Sequence, residues 1–200
     1  AVARFRAQGW RGFNVTVPHK EAVIPLLDRI DPFAERIGAV NTVVAIDGKI
    51  EGRNSDAPGF MASLREAHPI ATDKPVALLG AGGAARAILV ALADAGVPEI
   101  RIANRNRARA ETLAAGFPAR IVDWSDRASM LGGVGLLVNA TSLGMTGQPP
   151  LEIALDALPP DAIVTDIVYR PRETPLLAAA RARGNGAVYG LGMLLHQAVE

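Results

Sequence analysis

At 200 residues with 50% hydrophobic content, the chain has room for one or two domains with a substantial core. Lys and Arg number 21 against 20 Asp and Glu, a net charge of +1, so there is no global electrostatic case for nucleic acid or an acidic membrane as a partner. The absence of cysteine excludes a disulfide framework and any thiolate metal site, and no apolar run approaches the ~20 residues of a membrane span. The start lacks a signal-peptide core, and a cytoplasmic protein is expected.

Residues 1–8 read as a helix already under way, and residues 194–200 as a helix without a C-cap glycine, so the sequence is expected to be part of a longer chain. Residues 12–17 form a short β-prone run that stops at Pro18, ahead of His19 and Lys20. Residues 21–30 are helical in period, with Pro25 marking a break or a late start, and residues 32–37 read as a second short helix. Residues 42–46 and 49–51 read as a hairpin around Asp47-Gly48, a two-residue turn pair. Asn54-Ser55-Asp56 follows, and residues 58–67 form a helix with Phe60, Met61 and Leu64 on one face. The stretch 68–75 is linker-like and is expected to hold the domain boundary.

Beyond Pro75 strand and helix alternate. Strands are expected at 76–79, 100–103, 121–122, 136–139, 162–167 and 187–189, with helices at 84–95, 107–115 and 175–183 and a terminal one after 189. Apolar runs separated by helices argue for an α/β fold with a doubly wound, Rossmann-type parallel sheet.

A dinucleotide signature opens that region. Gly80, Gly82 and Ala85 fall on a G-x-G-x-x-A spacing between a strand and a helix. Gly80, Ala81, Gly82, Gly83 and Ala84 would then cradle a pyrophosphate at the helix start. Where an NAD-specific domain would carry a carboxylate, the second strand ends in Asn104-Arg105-Asn106-Arg107-Ala108-Arg109. Asn104, Arg105 and Arg109 therefore point to the 2′-phosphate of NADP. Thr141, Ser142 and Met145, after the fourth strand, would cover the nicotinamide side of the crevice.

Reducing a carbonyl by hydride transfer needs a proton donor for the developing alkoxide. Lys20 and Asp56 are the candidates, because each follows a strand-like run among short polar residues: Asn14 and Thr16, Asn54 and Ser55. Taken alone, Lys20 reads equally as a surface lysine and Asp56 as a helix N-cap, and spacing does not pair them.

Several stretches together resemble the shikimate dehydrogenase family: Asn14-Val-Thr-Val-Pro-His-Lys20, Ile37-Gly-Ala-Val-Asn41-Thr42 and Gly52-Arg-Asn54-Ser-Asp56-Ala-Pro-Gly59-Phe60. So do the glycine loop, Asn104-Arg105, Asn139-Ala-Thr-Ser-Leu-Gly-Met145, the run from Asp166 through Tyr169 to Leu177, and the run from Gly190 through Met193 to Gln197. The resemblance implies NADP-dependent reduction of 3-dehydroshikimate to shikimate by a monomer or homodimer without a metal. It implies a catalytic pair at Lys20 and Asp56. Substrate contacts would come from Asn14, Thr16, Asn41, Gln197 and Tyr169, and further cofactor contacts from Gly190 and Met193. It divides the chain into a substrate domain at 1–70, an NADP-binding domain at 71–190, and a helix at 191–200 that returns to the first. Ser55 stands where the family usually has Thr, and Asn106 where Thr is common. The family's N-terminal βα segment, with a serine pair for the substrate carboxylate, has no counterpart, so 1–70 is expected to be a smaller and incomplete α/β substrate domain. The linker at 68–75 and the glycines at 190 and 192 are expected to act as hinges for closure.

Other readings are a quinate/shikimate dehydrogenase using NAD, a folate-linked methylene dehydrogenase/cyclohydrolase, and a non-enzymatic NADP-sensing module. The basic 104–109 stretch disfavours the first. Polar residues around Lys20 suit a polyhydroxylated ring better than a pterin, and a sensor would need neither Lys20 nor Asp56.

Overall fold

The computed structural model describes residues 2–68 and 72–198 and arranges their strands in two sheets. After a short helix α1 (Val2–Ala7), the smaller sheet contains β1 (Gly12–Asn14), β2 (Arg29–Ile30), β3 (Thr42–Ile46) and β4 (Lys49–Arg53), in the order β1-β3-β4-β2. The β3–β4 hairpin turns on Asp47 and Gly48, both in the left-handed region at φ 50° and 73°. That is the backbone a two-residue turn needs to match strand twist.

Residues 21–30 do not form the expected helix. A single 3-10 turn at Ile24–Leu26 accommodates Pro25, Leu27 is extended, and Arg29–Ile30 pairs in parallel with β4. Pro25 cannot donate to a helical ladder, whereas the next residues find strand partners: the Asp28 N–H donates to Ile50 O at 3.0 Å and the Asp31 N–H to Gly52 O at 2.9 Å. The helix α2 (Pro32–Ile37) then starts on Asp31, whose carboxylate accepts from the Phe33 and Ala34 N–H groups, and ends at Gly38 with φ 70°. Helix α3 (Asp56–Ala67) begins two residues earlier than the apolar pattern indicates.

The larger sheet is wholly parallel: β5 (Val76–Leu79), β6 (Ile100–Ala103), β7 (Ala119–Val122), β8 (Leu136–Asn139), β9 (Ile163–Asp166) and β10 (Gly186–Tyr189), ordered β7-β6-β5-β8-β9-β10. Helices α4 (Gly83–Asp94), α5 (Arg107–Ala114) and α6 (Pro175–Ala182) connect its strands. All four residues of β5, β8 and β9 are buried, so both faces are covered; β5 reads as an unbroken apolar run, while β8 and β9 start apolar and end on the buried polar residues Asn139, Thr165 and Asp166. Strand order reverses between β5 and β8, the point beyond whose carboxyl ends such sheets bind ligands. Between β7 and β8 lies a 3-10 stretch, Trp124–Leu131, that the sequence pattern did not suggest; it buries Met130 and Leu131 completely.

The last helix, α7 (Gly190–His196), packs along α3. Its glycines stand at close approaches. A Cβ on Gly192 would collide with the Ser63 hydroxyl, and one on Gly190 would lie 2.6 Å from the Ile167 carbonyl oxygen. Part of the other expected hinge, residues 69–71, lies outside the described residues.

Candidate active site

Lys20 and Asp56, 36 residues apart in sequence, meet in the structure: Nζ lies 2.5 Å from Oδ2. Asp56 is the first residue of α3, where an anionic side chain faces the positive end of the helix dipole. Its side chain is 1% exposed and that of Lys20 13%, so the pair is shielded, with Lys20 on the open side. The segments flanking β3 and β4 hold both partners. The Val40 N–H donates to Lys20 O at 2.8 Å, and the Asn54 carboxamide oxygen accepts from the Asp56 N–H at 2.9 Å while its Nδ2 donates to Ala39 O at 2.8 Å.

Asn41 lies directly against this pair. Its Nδ2 donates to Asp56 Oδ1 and to Ser55 Oγ, both at 3.0 Å, and its Oδ1 accepts from the Ser55 N–H at 2.9 Å. Buried at 6% exposure, it orients the second carboxylate oxygen of Asp56. Ser55 Oγ donates to Gln197 O at 2.8 Å, which ties the end of α7 to the catalytic segment, and Gly59 leaves room for that approach. Asn14 and Thr16 are exposed on the segment leading to Lys20. Lys20, Asp56, Asn41 and Gln197 are thus gathered by β1, β3, α3 and α7.

The glycine loop reaches this group. A Cβ on Gly83 would lie 3.0 Å from Lys20 Cβ and 3.3 Å from Lys20 Cδ, so the lysine stem crosses the start of α4. Gly80 has φ 111°, and a Cβ there would lie 2.8 Å from Ala140 O. Gly82 has open space where a Cβ would point, and no side chain caps α4, so the first N–H groups of that helix have no side-chain partner. This cradle fits a diphosphate.

At the next strand end, Asn106 caps α5 by accepting from the Arg109 N–H at 3.1 Å, and Asn104 Nδ2 donates to Asn106 O at 2.8 Å. Arg105 makes no hydrogen bond or ion pair among the described residues. Arg109, expected beside it, instead meets Glu21 at 3.2 Å. The loop after β8 is pre-set: Thr141 Oγ1 donates to Asn139 Oδ1 at 2.7 Å and accepts from the Leu143 N–H at 3.1 Å. Ser142 and Met145 are exposed. Tyr169, also exposed, lies close by, because the Thr146 N–H donates to Arg170 O at 2.9 Å. Gly190 is buried against the exit of β9, and Met193 belongs to the apolar cluster that includes Phe60 and Leu64.

Sequence reasoning passed over the group that holds these loops. Asp166 is fully buried at the end of β9 and has no cation beside it. Its carboxylate accepts from Asn139 Nδ2 at 3.0 Å, the Val168 N–H at 3.0 Å and Thr174 Oγ1 at 2.7 Å. Burial pushes this carboxyl above its ordinary range, against the pull of those three donors. An acidic residue ending an apolar strand run was the available signal. Among the described residues no group of three or more His, Cys, Asp or Glu could hold a metal, and no helix is long and apolar enough to cross a membrane.

The comparisons with known proteins agree with this arrangement. A family model described as the shikimate dehydrogenase substrate binding domain matches residues 1–43, and one described as shikimate / quinate 5-dehydrogenase matches residues 64–145. The NADP(+) shikimate dehydrogenase of Paramagnetospirillum magneticum is 62% identical over 196 residues, which cover 96% of this chain and 71% of that protein. Among solved structures, quinate dehydrogenase from Corynebacterium glutamicum in complex with NAD is similar at a TM-score of 0.90 and 37% identity, covering 99% of this chain and 73% of that one. Shikimate 5-dehydrogenase from Thermus thermophilus in complex with NADP(H) and shikimate is similar at 0.85 and 39%, covering 98% and 72%. With the site's geometry and a relative of this identity and coverage in hand, the chain belongs to the shikimate dehydrogenase family.

Proposed function

We propose that the protein catalyses the NADP-dependent, reversible reduction of 3-dehydroshikimate to shikimate, the reaction of the shikimate pathway. The observation that carries this reading is the Lys20–Asp56 pair at 2.5 Å, seated against the glycine loop at Gly83. NADPH, when bound, supplies the hydride. Residues Gly80 to Ala84 would hold its diphosphate, Asn104, Arg105 and Arg109 its 2′-phosphate, and Thr141, Ser142 and Met145 its nicotinamide side. Residues 1–70 with the helix at 191–200 form the substrate side, and residues 71–190 the cofactor side.

The chain's own work is proton transfer and orientation. The Lys20 ammonium donates a proton to the carbonyl oxygen as that oxygen gains charge, and the Asp56 carboxylate keeps the ammonium aimed. In the reverse direction neutral Lys20 takes the hydroxyl proton. Asn41 holds Asp56 from behind, and the exposed Asn14, Thr16 and Tyr169, with Gln197, would meet the substrate's polar edge. The partners on this reading are small molecules, bound by a cytoplasmic monomer or homodimer.

The test is the loss of NADPH absorbance with 3-dehydroshikimate, run beside 3-dehydroquinate and with NADH in place of NADPH. Turnover on 3-dehydroshikimate with NADPH is expected to dominate. A preference for 3-dehydroquinate with NADH would overturn the assignment.

A further inference from the structure

Glu21 directly follows Lys20 but takes no part in its pairing. Its side chain turns to the helices of the larger sheet and meets two arginines there. Oε1 lies 3.2 Å from Nη2 of Arg109 on α5, and Oε2 lies 3.5 Å from Nε of Arg86 in the first turn of α4. Arg86 Nε is buried without a hydrogen-bond partner, so Glu21 is its compensating charge. The contact joins the residue beside Lys20 to the two helices whose N-terminal ends border the cofactor cradle.

We infer that Glu21 is a positioning and specificity-determining residue. It ties the segment carrying Lys20 to the cofactor side, and it does so through Arg109, a cation that a 2′-phosphate would also use. The inference rests on the NADP reading above. Arg86 and Arg109 against Glu21 leave two positive charges and one negative, a surplus of one. A phosphate approaching Arg109 must share it with Glu21 or displace it, so the carboxylate opposes phosphate binding while it steadies the lysine.

Glu21→Gln removes the charge and keeps the shape. It is expected to bind NADPH about two- to fivefold more tightly, the range of a partly exposed ion pair, and NADH unchanged. Turnover at saturating NADPH is expected to fall several-fold. A glutamate that only supported the fold would not strengthen NADPH binding while slowing the reaction.

The experiment measures NADPH and NADH dissociation constants by fluorescence titration, with turnover, for the parent, Glu21→Gln, Arg109→Gln and the double variant. The NADPH gain should vanish in the Arg109→Gln background. Arg109→Gln alone should lower turnover even at saturating NADPH, because Glu21 has lost a partner; this arm decides the matter if Glu21→Gln does not fold. Equal or weaker NADPH binding by folded Glu21→Gln, or full turnover by saturated Arg109→Gln, would overturn the inference. A parent that binds NADPH no better than NADH would instead overturn the cofactor reading and this inference with it.

Discussion

Gly83 lies beneath the stem of Lys20, so close that a Cβ there would sit 3.0 Å from Lys20 Cβ and 3.5 Å from Ala39 Cβ. The first residue of α4 thus sets how near the catalytic lysine can come to the cofactor cradle.

Gly83→Ala separates that role from folding. The position begins a helix and lacks a left-handed φ, so alanine should hold or raise stability, by up to about 1 kcal/mol. The added methyl must nevertheless push the lysine stem aside by a few tenths of an ångström. Because a misplacement of about 1 Å can cost ~10² in rate, turnover should drop by roughly threefold to thirtyfold. Thermal melts and steady-state kinetics on the same preparation check this; unchanged turnover would show that Lys20 does not depend on the contact.

Arg105 is exposed and has no internal partner among the described residues, so removing it should cost cofactor affinity and little stability. Charge-assisted hydrogen bonds contribute about 1.5–3 kcal/mol, and exposure favours the lower end. Arg105→Ala should weaken NADPH roughly tenfold and leave NADH nearly unchanged, with the difference shrinking at high salt. Equal losses for both cofactors in a binding titration would show that Arg105 only shapes the loop.

Asp166 should leave a pH signature in stability. Its folded carboxyl is pushed up by burial, above the unfolded value. Its contribution to stability is therefore full below the unfolded pKa and is lost as pH rises through the folded one. Asp166→Asn keeps the shape and does not titrate. The parent's stability relative to this variant should decline as denaturation is followed upward from acid pH. In acid, where both side chains are neutral, the two should agree within about 1 kcal/mol. A difference that stays flat with pH would contradict the argument.

Legibility in the sequence followed how local each cause is. β5, β6 and β8 were readable because strands covered on both faces are dominated by apolar residues, interrupted only by Arg101 in β6 and Asn139 at the end of β8. Residues 21–30 were misread because Val23, Ile24, Leu27 and Ile30 satisfy a helical period as well as the packing of a turn followed by a strand, and the partner strand β4 lies about twenty residues on. The chemistry of Lys20 and Asp56 was visible singly, but their meeting depends on the register of β1, β3 and β4. Gly190 and Gly192 show the converse: the residue type signalled a special backbone site, and only the packing of α7 on α3 and on the exit of β9 revealed the close approach each one permits. Glu21 had no local signal of its own, since its partners stand 65 and 88 residues away, and Asp166 offered only its place at the end of an apolar strand run, because two of its three partners stand 8 and 27 residues away.

The central claim, that Lys20 is the proton donor, is tested most directly by the steady-state constants of Lys20→Ala with NADPH and 3-dehydroshikimate. The substitution leaves Asp56 buried without its cation, which can cost about 3–5 kcal/mol, so the assay belongs at a temperature where circular dichroism shows the variant folded. Loss of a general acid typically lowers rate ~10² to 10⁴, and turnover should fall by that much with a far smaller change in Michaelis constant. Turnover within a few-fold of the parent would contradict the account.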